Sequence, residues 1–115
     1  MCDPARSASR RRKADQKRRA AGEPLRIDFF HQVDDPYSHL AVQALPLLLR
    51  HYEIEIVPRL AGPPDASNAP EAELLARYAR DDSAHIAPHY GLEFPASAQP
   101  PTAEATLLAQ RMLAN

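Results

Sequence analysis

Hydrophobic and polar residues alternate in two short segments, and a helical pattern lies between them. In residues 25–30, apolar side chains alternate with polar ones, which is typical of a β-strand. Residues 53–60 alternate in the same way. From residue 37 to residue 52, apolar side chains recur every three or four positions, which predicts one apolar stripe on a helix of about four turns. A helix of this length between two strands favours parallel pairing through a right-handed crossover.

The helix between the strands is predicted to begin at Pro36. Asp35 is a favoured N-cap, and its carboxylate suits the positive end of a helix. Pro36 suits the first helical position, because its missing N–H would have no partner there. Pro46 is expected to kink the helix, and Pro58 indicates an edge strand or a strand end. Residues 24–62 are therefore predicted to form a β-α-β unit.

Residues 63–115 have a helical pattern interrupted by proline-rich connections. Residues 71–90 are predicted to form one helix or two short ones that end at Gly91, and Thr102 is predicted to cap a final helix. Prolines bound the connections before and after the first helical segment. Its apolar positions, interpreted as core, include Leu74, Leu75 and Tyr78.

Charge divides the chain into two parts. Residues 1–22 hold eight Lys and Arg against Asp3 and Asp15, a net charge of +6, so the rest carries −7 of the total of −1. This basic segment lacks apolar periodicity, and residues 1–23 are predicted to form a disordered tail. It lacks the apolar run of a signal peptide, and no membrane span is predicted. Specific nucleic-acid recognition is not predicted, because no aromatic residue lies among the basic residues of this segment.

At 115 residues the chain is one domain at most. Its single cysteine, Cys2, lies in the basic segment, and the absence of paired cysteines fits a reducing compartment. A cytoplasmic location is expected by default.

Candidate functional residues cluster at the junction after the first strand. In open α/β units, ligands bind beyond the carboxyl ends of strands, where the next helix presents free N–H groups. The candidates at this junction are His31, Asp34, Asp35, Tyr37, Ser38 and His39.

A family resemblance rests on the same junction. The run FFHQVDDPYSHLAVQALPLL at 29–48 resembles the opening of the thioredoxin-superfamily branch that contains the DsbA-like oxidoreductases, the kappa-class glutathione transferases and the 2-hydroxychromene-2-carboxylate isomerases. HYGLEFP at 89–95 and the segment from Pro100 to Thr102 resemble the helical insertion of that branch. The resemblance covers roughly residues 25–115. It implies an α/β fold with a thioredoxin-like β-α-β start followed by an α-helical insertion, and glutathione as a candidate ligand.

The chain departs from the family at the reactive position. Asp35, Pro36, Tyr37 and Ser38 stand where DsbA-like enzymes have two cysteines flanking two residues, and Asp35 stands where the glutathione-dependent enzymes place a serine. Neither Asp35 nor Ser38 can replace the thiolates of disulfide exchange. Ordinary N-capping explains Asp35. The alternative is a modified site, in which Asp35 and Ser38 are catalytic and the substrate-binding residues are Asp34, Pro36, Tyr37 and His39.

A metal is the less favoured interpretation of the histidines and carboxylates. The set His31, Asp34, Asp35 and His39 matches no established ligand spacing, and a helix N-terminus disfavours a cation. A second pair, His85 and His89, has Pro88 between its members and no nearby third ligand. No metal site is predicted.

Two functional classes stay open. The first is a DsbA-like oxidoreductase-family protein, by closer motif similarity a glutathione-linked isomerase or transferase. The second is a noncatalytic thioredoxin-like module that binds a protein partner, or an inactive fragment. Two parallel strands leave edges exposed and give helices little surface to cover. Since the family fold continues into further strands, the chain is expected to lack the C-terminal half of that fold. The expected partners are a small-molecule thiol or a protein that completes the fold.

Overall fold

A computed structural model describes residues 3–95 and 99–115 of the chain. The fold is mixed α/β, as the sequence predicts. Among the described helices, none combines the length and apolar character that a bilayer crossing requires. The elements in chain order are α1 (Pro4–Ala20), β1 (Leu25–His31), α2 (Pro36–His51), β2 (Ile54–Leu60), α3 (Ala72–Ile86), a 3-10 turn (Ala87–Tyr90) and α4 (Ala103–Ala114).

The two strands form a parallel sheet, which confirms the predicted pairing. The register runs from Leu25 opposite Ile54 to His31 opposite Leu60. Side chains alternate between faces along a strand, so most apolar positions of both strands lie on one face, while Phe30 and Val57 lie on the other. On that face, side chains of the sheet and of α2 line a common groove; they include Phe29, Ile56, Val42 and Leu45. The opposite face carries the ion pair between Arg59 Nε and Asp28 Oδ1, at 3.1 Å.

Helix α2 begins at Pro36 with Asp35 as its N-cap, as predicted. It continues through Pro46 to His51. Leu40, from the predicted apolar stripe, is its buried residue, with 5% of its surface exposed. The described core is small, because many large apolar side chains of α2 and α4 are more than a third exposed.

The core face of α3 differs from the prediction. Leu74, Leu75 and Tyr78 are each more than half exposed, so their interpretation as core is wrong. The buried residues of α3 are Ala79 and Ser83. Ser83 follows Tyr78 by five positions, roughly 140° around a helix, and α3 packs toward α2. Small side chains let the two helices approach closely, and the larger apolar stripe is left outside.

The basic segment forms a helix, although its composition predicts disorder. The Asp3 carboxylate accepts a hydrogen bond from the Ala5 N–H at 3.0 Å, and Pro4 occupies the first turn. Alanine, arginine, lysine and glutamine, which dominate α1, have high helix propensity. Local capping and propensity therefore account for α1 without an apolar stripe, and none of its residues is buried. Met1 and Cys2 lie outside the described residues.

Candidate functional site

The junction between β1 and α2 is held by three linked hydrogen bonds. The Ser38 N–H donates to Asp35 Oδ2 at 2.7 Å, which satisfies a free amide of the first turn. The Gln32 N–H donates to Ser38 Oγ at 3.2 Å. The Asp35 N–H donates to the Gln32 carbonyl at 3.2 Å and closes the turn. The capping interpretation of Asp35 is confirmed, and Ser38 joins the helix to the end of the strand.

Asp34 lies beside the cap but has a different partner. Its Oδ1 accepts a hydrogen bond from the Gln32 side-chain amide at 2.9 Å, and the residue is exposed. Asp34 therefore places a carboxylate at the mouth of the junction, next to the half-buried Asp35.

Tyr37 connects α2 to α3. Its hydroxyl donates to Asp82 Oδ2 at 2.7 Å. That hydrogen bond, together with partial burial and the charge of Asp82, raises the pKa of Tyr37 to about 12. The phenol is protonated at neutral pH and is engaged with α3, so its observed role is to tie two helices together.

A cleft of about 190 Å³ opens at the N-terminus of α2, and we call it the α2 cleft. Of the predicted catalytic and substrate-binding residues, Asp34, Asp35, Pro36 and His39 line it, whereas Tyr37 and Ser38 do not. A charged residue, Arg80, comes from α3, and an aromatic residue, Phe94, comes from the segment after the 3-10 turn. The lining consists of Val33, Asp34, Asp35, Pro36, His39, Arg80, Phe94, Pro95, Gln99, Pro100 and Pro101.

The Phe94 wall of the α2 cleft is attached directly to α2. The Gln43 amide donates to the Glu93 carbonyl at 2.8 Å, and the Glu93 N–H donates back to Gln43 Oε1 at 2.9 Å. The rings of His39 and Phe94 meet edge to face, with centroids 5.8 Å apart. These contacts fix Phe94 beside His39 in the lining of the α2 cleft.

The α2 cleft combines opposite charges. Asp34 and Asp35 provide carboxylates, and Arg80 provides a guanidinium that forms no ion pair within the described part of the chain. An arginine fork binds carboxylate groups well, and carboxylates bind ammonium groups. The cleft is therefore suited to a ligand that carries both an ammonium and a carboxylate.

A second cleft, of about 360 Å³, lies on the other side of the same junction. Asp34, Asp35 and Pro36 line both clefts and so form the ridge between them. The far wall of the second cleft is built from the 63–69 connection and from small side chains of α3. Its lining includes Asp34 and Asp35 but no basic residue, so we expect it to be less selective for a charged ligand than the α2 cleft.

The predicted histidine candidates are dispersed. His31 ends β1, and His39 lies in the α2 cleft. His85 and His89 are exposed, and the His85 ring Nδ1 lies 2.6 Å from the Asp81 carbonyl. Within residues 3–95 and 99–115, no three histidine, cysteine, aspartate or glutamate side chains are grouped as a metal would require.

Sequence reasoning did not identify Arg80 or Phe94 as site residues. Arg80 is one of several charged residues on α3, and nothing in its spacing marks it. Phe94 lies in the HYGLEFP segment, which carries the family resemblance, but its place beside His39 depends on how the chain folds back on α2. Both residues enter the site through tertiary contacts.

A comparison with known proteins finds no matching family model, no matching curated protein and no matching solved structure. The class that the structure defines is a mixed α/β protein with a two-stranded parallel sheet and a cleft at the N-terminus of the crossover helix.

Proposed function

We propose that this protein is a noncatalytic thioredoxin-like module of the DsbA-like branch, and that its α2 cleft binds a small zwitterionic thiol of the glutathione class. The observation that carries the proposal is the Asp35 carboxylate, which accepts the Ser38 N–H at 2.7 Å where the resembling enzymes place their reactive cysteine or serine. At the position of the reactive residue in those enzymes, this chain has a carboxylate that caps α2.

Thiol chemistry is disfavoured at this helix end for an electrostatic reason. A helix N-terminus stabilises a thiolate through its free amides and its positive dipole end. Here the Asp35 carboxylate already accepts one of those amides. A thiolate placed beside it would meet a second negative charge, which disfavours ionisation of the thiol.

The charges of the α2 cleft support a zwitterionic ligand, and the family resemblance suggests glutathione as the candidate. The γ-glutamyl end of glutathione carries an ammonium and a carboxylate on one carbon. The ammonium suits Asp34, whose exposed carboxylate does not cap the helix, and the carboxylate suits Arg80; both residues line the cleft. Phe94 and the nearby prolines offer apolar surface to the remainder of the ligand. The thiol itself makes no essential contact in this proposal.

The test is calorimetric titration of the protein with glutathione and with S-methylglutathione. We expect both to bind with similar affinity, because recognition depends on the zwitterion. Arg80→Gln should weaken binding about tenfold, the scale of one hydrogen bond to a charged group. Arg77→Gln is the matched control, since Arg77 is an exposed arginine of the same helix outside the cleft lining. Absence of binding, or equal effects of the two substitutions, would refute the proposal.

A glutathione-linked isomerase or transferase is the second candidate. The observation that favours it is the Ser38 hydroxyl, whose oxygen accepts the Gln32 N–H and whose proton stays free to donate to a sulfur. This candidate requires the thiol. Preferential binding of glutathione over S-methylglutathione, together with its loss in Ser38→Ala, would favour the enzyme over the module.

A further inference from the structure

Helix α1 carries a row of basic side chains along one face. Arg6, Arg10, Lys13 and Lys17 are spaced four, three and four residues apart. At about 100° per residue they fall within an arc of roughly 60°, and they extend along roughly 16 Å of the helix axis. All four are exposed. We call this row the α1 basic face.

The acidic residues of the segment do not neutralise the α1 basic face. Asp15 pairs with Arg18 at 2.6 Å and with Arg19 at 2.8 Å, and its hydrogen bond to Arg18 lowers the pKa of its carboxyl. Asp15 lies on the side of the helix away from the row. Asp3 accepts the Ala5 N–H as the N-cap. Within the described chain, no ion pair involves the row.

The composition of α1 distinguishes among polyanions. Alanine is its only apolar residue type besides Pro4, so the helix has no large side chain to insert into a lipid surface. It has no aromatic residue on which unpaired bases would stack, as single-strand binding proteins require. An α-helix fits the major groove of B-DNA, where Lys and Arg reach the phosphates.

We propose that α1 binds duplex DNA without sequence preference, with the α1 basic face on the phosphate backbone. The remainder of the chain carries −7 and would repel DNA, so the contact is confined to the helix. The Arg18 guanidinium donates to the Glu23 carbonyl at 2.8 Å and anchors the end of α1 to the following chain. This proposal is independent of the α2 cleft.

The experiment measures fluorescence anisotropy of the full chain with a DNA duplex of about two helical turns, roughly 20 base pairs. With four phosphate contacts, log K should fall with log salt at a slope of about −3.6, a loss of about 150-fold between 50 and 200 mM salt. Arg10→Gln with Lys13→Gln removes two contacts. The slope should become about −1.8, and the loss about 12-fold.

The matched control is Arg12→Gln with Arg19→Gln, which removes equal charge from the other side of α1 and should leave the slope near −3.6. Arg10→Lys with Lys13→Arg keeps both charges and should also keep the slope near −3.6. A retained slope shows that the loss in the neutralised pair comes from its charge and not from substitution at these two positions. Equal slopes for the two neutralising pairs would overturn the proposal. So would absence of duplex binding, or tighter binding to a single strand or to anionic phospholipid vesicles.

Discussion

Helices α1 and α2 begin with the same local signal and end in different surroundings. They have 17 and 16 residues, each has an aspartate N-cap followed by proline, and each cap carboxylate accepts an amide of the first turn. Helix α2 has an apolar stripe and buries Leu40, whereas α1 has no such stripe and buries nothing. A cap and good propensity suffice to start a helix, but an apolar stripe decides whether the helix packs.

The same contrast separates the polar groups of the two helices. At the start of α2, polar side chains are engaged in tertiary or cap contacts, such as Tyr37 with Asp82 and Ser38 with Gln32. On α1, the described ion pairs are local and join residues three or four apart. Residues of the packed helix α2 therefore line a cleft, whereas the unpacked helix α1 exposes basic side chains to solvent.

The comparison is tested most strongly at Leu40. Leu40→Ala removes a nearly fully buried side chain and should lower the free energy of unfolding by about 3 kcal/mol. The measurement is urea unfolding followed by circular dichroism. Leu49→Ala is the control, because Leu49 of the same helix is 52% exposed, and it should cost less than about 1 kcal/mol. Equal losses would mean that α2 does not pack through Leu40.

The two caps should differ in their effect on unfolding. Asp35→Ala removes the hydrogen bond to the Ser38 amide and should cost about 1 kcal/mol in urea unfolding, while Asp35→Asn should retain most of it. Asp3→Ala should leave the unfolding midpoint unchanged, because α1 is not packed, and should reduce only the helical signal. A similar shift of the midpoint by both alanine variants would break the comparison.

The link between α2 and α3 should show in the titration of tyrosine. Tyr37→Phe deletes the bond to Asp82 and should cost roughly 0.5–1 kcal/mol, the lower part of the usual range because the ring is partly exposed. The pKa of Tyr37 is raised to about 12 from its usual 10. Folding therefore favours the protonated phenol. The stabilisation from the Tyr37–Asp82 hydrogen bond is complete below pH 10 and is lost as the pH rises toward 12.

Tyrosinate absorbance checks this prediction. The wild-type curve should contain a step near pH 12 that is missing in Tyr37→Phe. Tyr90→Phe, which changes a tyrosine that is 71% exposed, should leave that step in place. A high step that survives in Tyr37→Phe would contradict the assignment.

The smallest expected effect concerns α1. The pKa of the Asp15 carboxyl is lowered, chiefly by its hydrogen bond to Arg18. The negative charge of Asp15 therefore stabilises α1 fully above pH 3.8, the usual pKa of an aspartate, and this stabilisation is lost as the pH falls below that value. Asp15→Asn should slightly reduce the helical circular dichroism at neutral pH and remove this acid dependence. Unfolding of the rest of the chain should not change. A shift in its midpoint would show that α1 is packed after all.

Much of the local structure was predictable because its causes lie within a few residues. The Asp35–Pro36 start of α2, the parallel pairing of β1 and β2, the stop at Gly91 and the cap at Thr102 all agree with the structure. The same aspartate–proline signal occurs at Asp3, yet the basic composition around it led to a prediction of disorder. Local capping and helix propensity outweighed the lack of an apolar stripe.

By itself, the sequence determined where most elements begin and which residues sit at the β1–α2 junction, since capping, propensity and periodicity are local properties of the chain. Only the tertiary structure decided how those residues are used. Packing of α3 through Ala79 and Ser83, with Leu74 and Tyr78 outside, turned Tyr37 toward Asp82 and brought Arg80 into the α2 cleft. Which face of a helix is buried depends on what it packs against, and a one-dimensional pattern does not contain that partner.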